Sequence, residues 1–388
     1  FNRTAAGPPD RTTNEQQTMT IKAHAHRKPP HSISSLIVVS LISLPIPAMA
    51  GQVLATRGYV FTANENGNSV SRVSLASGKI DTQLLPIEPH NVQITPDGTK
   101  LLVVGSPVAS DSEEHGGGQH DQVSMPMNGG GIDMSMPTDA GGELLVLDPR
   151  DLTAPPLEIA VGNHPAHVVI DSEGRRAFVT NAEVDTISVV DVAAGRVTGT
   201  IPTGDYPHGL RLSPDGLQLL VANVQDGSVS LFDLRKLTET ARIPVGKAPV
   251  QVAFLPDGSR AYVSLRDEDA VAVLDLVTKS VIGRISVGNG PIQLFATPDS
   301  RKVFVANQGT AIAPDNTVSV IDVTSGSVVA TLKGDTGPHG VAMSTDGALA
   351  FITNVNAGTL SVVDTQKQTI VKSYPVGAGP NGVTYLND

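Results

Sequence analysis

The sequence contains no cysteine and no tryptophan, and aromatic residues make up only 3% of its 388 positions. Without cysteine there is no disulfide, no thiolate metal site, no lipid-anchored thiol and no haem held through paired cysteines. No basic run lies in the body of the chain, and the net charge is −11. Electrostatic attraction to nucleic acid or to anionic lipid is therefore not expected. Long apolar runs are also missing. The one that stands out, residues 33–44, falls short of the about 20 apolar residues that span a bilayer.

What is present is repetition. Asp148, Asp191, Asp233, Asp275, Asp322 and Asp364 each end an apolar run and recur every 42 to 47 residues. Leu75 holds the same place in an earlier copy, which makes seven. A period near 42 with four short strands per copy predicts an all-β, seven-bladed β-propeller of four-stranded antiparallel blades. In the third copy the strands are expected at about 165–171, 177–181, 186–191 and 197–203. Pro96-Asp97-Gly98, Pro214-Asp215-Gly216 and Pro256-Asp257-Gly258 supply turns between first and second strands. The recurring aspartates are expected to cap the turn into the fourth strand. The asparagines ending the second strands read as turn residues, because asparagine tolerates left-handed backbone. The first copy lacks its inner strand and the C-terminus carries a spare one, so the two should pair and close the ring.

Phe178-Val179-Thr180-Asn181, Phe304-Val305-Ala306-Asn307 and Phe351-Ile352-Thr353-Asn354 resemble the YVTN-type, YncE-like β-propeller repeat. That resemblance runs from Tyr59 to the C-terminus apart from one insertion. It implies the fold. Its implications for activity are open, because such families include surface-layer, periplasmic and lactonase-like members.

Residues 1–18 are polar and without periodicity and read as an upstream, non-structural extension. Met19 is the expected start. Basic Lys22, Arg27 and Lys28, the apolar run and Ala48-Met49-Ala50 make residues 19–50 a secretory signal peptide, cleaved after Ala50. The propeller is then 51–388, located in the periplasm or outside the cell.

Antiparallel strands put the loops between blades on the same face as the second-to-third-strand loops. Residues just after the recurring proline should ring the channel mouth: His90, Ala166, His208, Val250, Ile292, His339 and Asn381, followed by Asn91, His167, Gly209, Gln251, Gln293, Gly340 and Gly382. Histidines thus gather at one mouth. The structural alternative is that Pro-His-Gly is a turn whose imidazole bonds a neighbouring carbonyl.

The insertion, at about 108–141, carries His115, His120, Met125, Met127, Met134 and Met136 in a glycine-rich setting without a core of its own. Thioether and imidazole ligands suit copper. The metal-ligand expectation therefore joins these six residues with His90, His208 and His339. The competing expectation for the segment is a low-complexity linker.

The leading expectation is an exported, monomeric, non-enzymatic binding scaffold, holding copper or docking a protein or small molecule on its loop face. The alternative is a lactonase-like hydrolase with its site at the channel mouth, where Glu65, Glu183, Asp205, Arg266 and Asp267 supply charge. A copper oxidoreductase resembling the propeller of nitrous oxide reductase would need more channel histidines and a cysteine-bearing domain.

Overall fold

Short apolar runs bounded by proline, aspartate and glycine favour strands over helices. In the computed structural model, which describes residues 57–108 and 141–388, they form twenty-eight strands. These assemble into seven four-stranded antiparallel sheets. The third blade comprises Pro165–Ile170, Arg176–Asn181, Thr186–Asp191 and Arg196–Pro202, within one residue of expectation. Blades are numbered here from the one containing Tyr59–Asn64. Its inner strand is Pro380–Leu386, paired antiparallel from Tyr59↔Leu386 to Asn64↔Pro380. The ring is closed by the two ends of the propeller.

The apolar core lies between blades. Leu220, Val229 and Leu231 of blade 4 pack on Val252, Val263 and Leu265 of blade 5, and the other interfaces repeat this arrangement. The few aromatics are concentrated there. Phe61, Phe178, Tyr262, Phe304 and Phe351 hold one equivalent position in the second strands, all fully buried.

The turns follow their chemistry. Asp97, Asp215, Asp299 and Asp346 each accept a hydrogen bond from a Thr or Ser hydroxyl two residues earlier and from a backbone N–H two residues later. Asp191, Asp233, Asp275, Asp322 and Asp364 bind backbone N–H groups at the turn into the fourth strand. Hydrogen bonds, first from Thr95, Ser213, Thr297 and Ser344, hold the first set of carboxyls below the ordinary value of 3.8, and Asp97 at about 2. Their contribution to stability is complete above that ordinary value and is lost as pH falls through the folded values. Loss of these turn bonds is expected to steepen the fall of the melting temperature between about pH 4 and pH 2. A calorimetric melt that is flat to pH 2 would remove these turns from the account.

The asparagines correct the expectation. Asn181 has φ −112° and ψ 98°, which is extended backbone, and the left-handed residue of that loop is Asp185. Its amide is buried and clamps three segments: Nδ2 donates to Thr186 Oγ1 and Ser188 Oγ at 3.0 Å each, and Oδ1 accepts from the Gly162 N–H. Asn64, Asn223, Asn307 and Asn354 clamp third-strand hydroxyls in the same way. Local propensity pointed to a turn, whereas burial beside paired hydroxyls makes a cross-strand tie. Asn181→Ala is expected to cost about 2 kcal/mol, from lost bonds and stranded partners. Asn181→Gly should be no better, whereas a left-handed turn position would be rescued by glycine. Chemical denaturation of the two variants distinguishes these outcomes.

The signal-peptide reading and all six His and Met candidates of the insertion lie outside the described residues.

Candidate functional site

The recurring proline opens six of the inner strands, and Pro89 is the third residue of the remaining one, Ile87–Ile94. In those six the pairing with the second strand skips two residues, as between Pro207 and Leu210 or Pro165 and Val168, and in blade 2 it skips only His90. These irregularities free the skipped positions from regular alternation, and His90 and His167, at successive ring positions, meet with centroids 5.9 Å apart. Glycine at the second position has a steric cause. A Cβ on Gly209 or Gly340 would collide with the carbonyl of Val250 or Asn381 on the next blade. Those same carbonyls accept from His208 Nδ1 at 3.2 Å and His339 Nδ1 at 3.3 Å. The Pro-His-Gly turn therefore does bond a neighbouring carbonyl, and in doing so it fixes both rings with Nε2 free to face elsewhere.

His90 is anchored differently. Its Nδ1 lies 3.0 Å from Glu65 Oε1, on the short turn Glu65–Gly67. Glu65 Oε2 in turn accepts from the Asn381 amide, across the ring closure. His90 Nε2 faces His208 Nε2 at 3.3 Å. His167 packs on His208 with centroids 4.8 Å apart, and its Nε2 is buried without a partner among the described residues. Its Nδ1 is 3.5 Å from Gln251 Nε2, while Gln251 Oε1 accepts the Val252 N–H. His339 completes the group at a centroid distance of 6.5 Å from His90. Above them, nearer solvent, His164 Nε2 meets the Tyr206 hydroxyl at 3.4 Å.

Burial sets the electrostatics. It pushes His167 and His208 well below the usual imidazole range, and His339 down to about 4, with the charge of His90 adding to each. Burial would also lower His90, but the charge and hydrogen bond of Glu65 outweigh it and the net shift is upward. Glu65 mirrors this: burial would raise it, and His90 brings it down. The cluster thus pairs His90 with Glu65, while burial favours the neutral form of the rings around it. Neutral imidazole is the form that ligates metals.

One ligand atom each from His90, His167 and His208 lies within 4.8 Å of the others. Ligands at 2.0–2.1 Å from a tetrahedral ion stand about 3.3 Å apart. The His90–His208 pair already matches that spacing. The third ring has to close by up to about 1.5 Å on this geometry, and ligation through its Nε2 requires Gln251 to turn its carbonyl toward Nδ1.

Of the nine expected ligands, the structure brings His90 and His208 together and sets His339 beside them. Sequence alone places His167 on the ring but not among the ligands. It puts Glu65 only among acids for hydrolysis, whereas in the structure Glu65 orients His90. The other charged residues of that reading do not converge: Arg266 pairs with its neighbour Asp267 at 2.7 Å, and Glu183 approaches His164 at 3.9 Å.

The fold is shared by many solved structures. Hydrazine synthase from Kuenenia stuttgartiensis aligns with a TM-score of 0.61 at 20% identity, covering 77% of this chain and 95% of that one. A protein of unknown function from Desulfotomaculum acetoxidans gives 0.63 at 16%, and the periplasmic gluconolactonase of Pseudomonas aeruginosa 0.63 at 19%, each covering 85% of this chain and 99% of the other. Among curated proteins none matches. The description of the YNCE-like beta-propeller family matches residues 145–388. That is more than half of the chain, and with the seven closed blades it makes this protein a member of the YNCE-like beta-propeller family.

Proposed function

We propose that this protein is an exported metal-binding propeller that holds one transition-metal ion at the channel mouth, through His90, His208 and His167, with His339 alongside. One observation carries the reading. His90 and His208 present Nε2 to each other at 3.3 Å while their Nδ1 atoms are engaged by Glu65 and by the Val250 carbonyl. Metal-ligating histidines characteristically donate the second ring N–H to a carboxylate or carbonyl, which fixes tautomer and orientation. The tetrahedral spacing and all-imidazole donor set favour Zn²⁺ or Cu⁺ over square-planar Cu²⁺, whose adjacent ligands stand about 2.8 Å apart. The composition of the His- and Met-rich insertion favours copper between these two, and in sequence it follows the strand Leu101–Pro107, which ends at the mouth's face. The basic, apolar and small-residue pattern of 19–50 supports export.

Calorimetric titration of metal-free protein with Zn²⁺ and with Cu⁺ tests this. One ion per chain is expected, with loss of that ion in a His90→Ala, His208→Ala double variant. Equal uptake by the double variant would exclude the site.

A second reading is metal-assisted lactone hydrolysis. Three imidazoles leave a fourth position open, as catalytic zinc sites do. Gluconolactone opening that is abolished by chelation and restored by metal would favour it. Absence of turnover by metal-loaded protein would leave the binding scaffold.

A further inference from the structure

Deeper in the channel stands a cation without a counter-ion. Arg211 follows the mouth residues on the inner strand Pro207–Leu212 of blade 4. It forms no ion pair among the described residues. Of the five N–H donors of a guanidinium, the Arg211 group spends one, from Nη1 to the carbonyl of Leu210 at 2.9 Å. The group lies over the Phe295 ring of blade 6, two blades on, 5.5 Å from its centroid. Its surface is only partly covered because it faces the channel, yet protein surrounds it, and this desolvation pushes it down to about 10. Buried charges in proteins are as a rule paired, because desolvation without a partner is costly.

A second donor is stranded on the same channel. Gln293 of blade 6 occupies the ring position that His167 and Gln251 occupy on blades 3 and 5, and it is 2% exposed. Its Nε2 has no acceptor among the described residues. Gln93, at the Arg211 position of blade 2, lines a cavity of about 360 Å³ with Ile94, Ile170, Thr345, Tyr385 and Leu386. These residues come from blades 1, 2, 3 and 7, so the cavity marks the opposite end of the channel and a way in.

We propose that the axial channel binds a small oxyanion, seated on Arg211 and the Nε2 of Gln293 beneath the histidine cluster. A planar guanidinium offers two parallel N–H groups, matching the paired oxygens of a carboxylate or of a phosphate-like ion. Stacking on Phe295 fixes the plane of that fork. The ligand class is a small, compact anion with at least two oxygens, because the donors lie inside a ring of seven inner strands.

The experiment uses the full chain after chelator treatment, so that its outcome does not depend on a metal at the mouth. Acetate and inorganic phosphate are titrated separately at constant ionic strength, with chloride as the balancing salt, and melting temperature and heat of binding are followed. Saturable stabilisation by at least one of the two is expected, which also separates a carboxylate site from a phosphate site. Arg211→Gln and Gln293→Leu should each weaken it, the arginine change by about tenfold or more. In chloride alone Arg211→Gln should match or exceed the parent in stability, since an unpaired buried charge is removed. An arginine serving only to pack on Phe295 would instead be missed equally in every buffer. If Arg211→Gln does not fold, Gln293→Leu and the parent titration decide. No saturable effect of either anion on the parent protein, or an effect undiminished in the variants that fold, overturns the proposal.

Discussion

A chain ending at Gly379 is expected to yield no folded monomer. Removing residues 380–388 takes the inner strand from blade 1, which pairs along Tyr59–Asn64 and sits between the inner strands of blades 7 and 2. Val383 leaves the interface with blade 7, where it packs with Val60, Phe351 and Leu360. Tyr385 leaves its stack on Phe351, with centroids 5.2 Å apart. Each buried apolar side chain contributes about 1.5–3 kcal/mol. The sum from both sides of the break is of the order of a domain's whole net stability, about 5–15 kcal/mol. The cut also bares an unpaired strand edge, which invites association. Size-exclusion chromatography and calorimetry should show aggregates and no cooperative transition. A sharp melt from a monomer would mean that the ring does not depend on this closure.

Glu65→Gln is expected to weaken metal binding by about 10- to 100-fold without changing its stoichiometry. Removing a carboxylate that orients and polarises a ligating imidazole typically has that effect. Glutamine keeps a hydrogen-bond acceptor 3.0 Å from His90 Nδ1 but loses the charge. It also unbalances the bond from Asn381, which joins the two ends of the chain at this point. If Glu65 were only half of a structural ion pair, the substitution would lower the melting temperature and leave ion uptake as it was. Titration calorimetry and thermal melts on one preparation separate the two outcomes.

The period of the aspartates contained the blade count, the closure and the identity of the ring residues. These are local patterns repeated at fixed spacing, and repetition averages out the errors of any one copy. What was not legible depended on contacts between copies. The asparagine ties need the hydroxyls of the facing strand to be seen beside Asn181 and its equivalents. The two-residue irregularity after six of the seven prolines, which brings His167 and Gln293 to the axis together with His208, has no mark in composition. Glu65 and His90 are 25 residues apart, and Asn381 is 316 from Glu65. Their junction exists only once the ring is closed. Arg211 had no signal at all, because a lone arginine in an apolar strand reads as an exposed position until its neighbours are known.

X-ray absorption at the metal edge, on protein lacking residues 109–140 and loaded with one equivalent of Zn²⁺ or Cu⁺, tests the histidine cluster most directly. The account predicts a shell of three or four nitrogens at about 2.0 Å with imidazole scattering beyond it, lost in the His90→Ala, His208→Ala variant. A spectrum without imidazole, or a chain that cannot retain the ion once the insertion is gone, would contradict it.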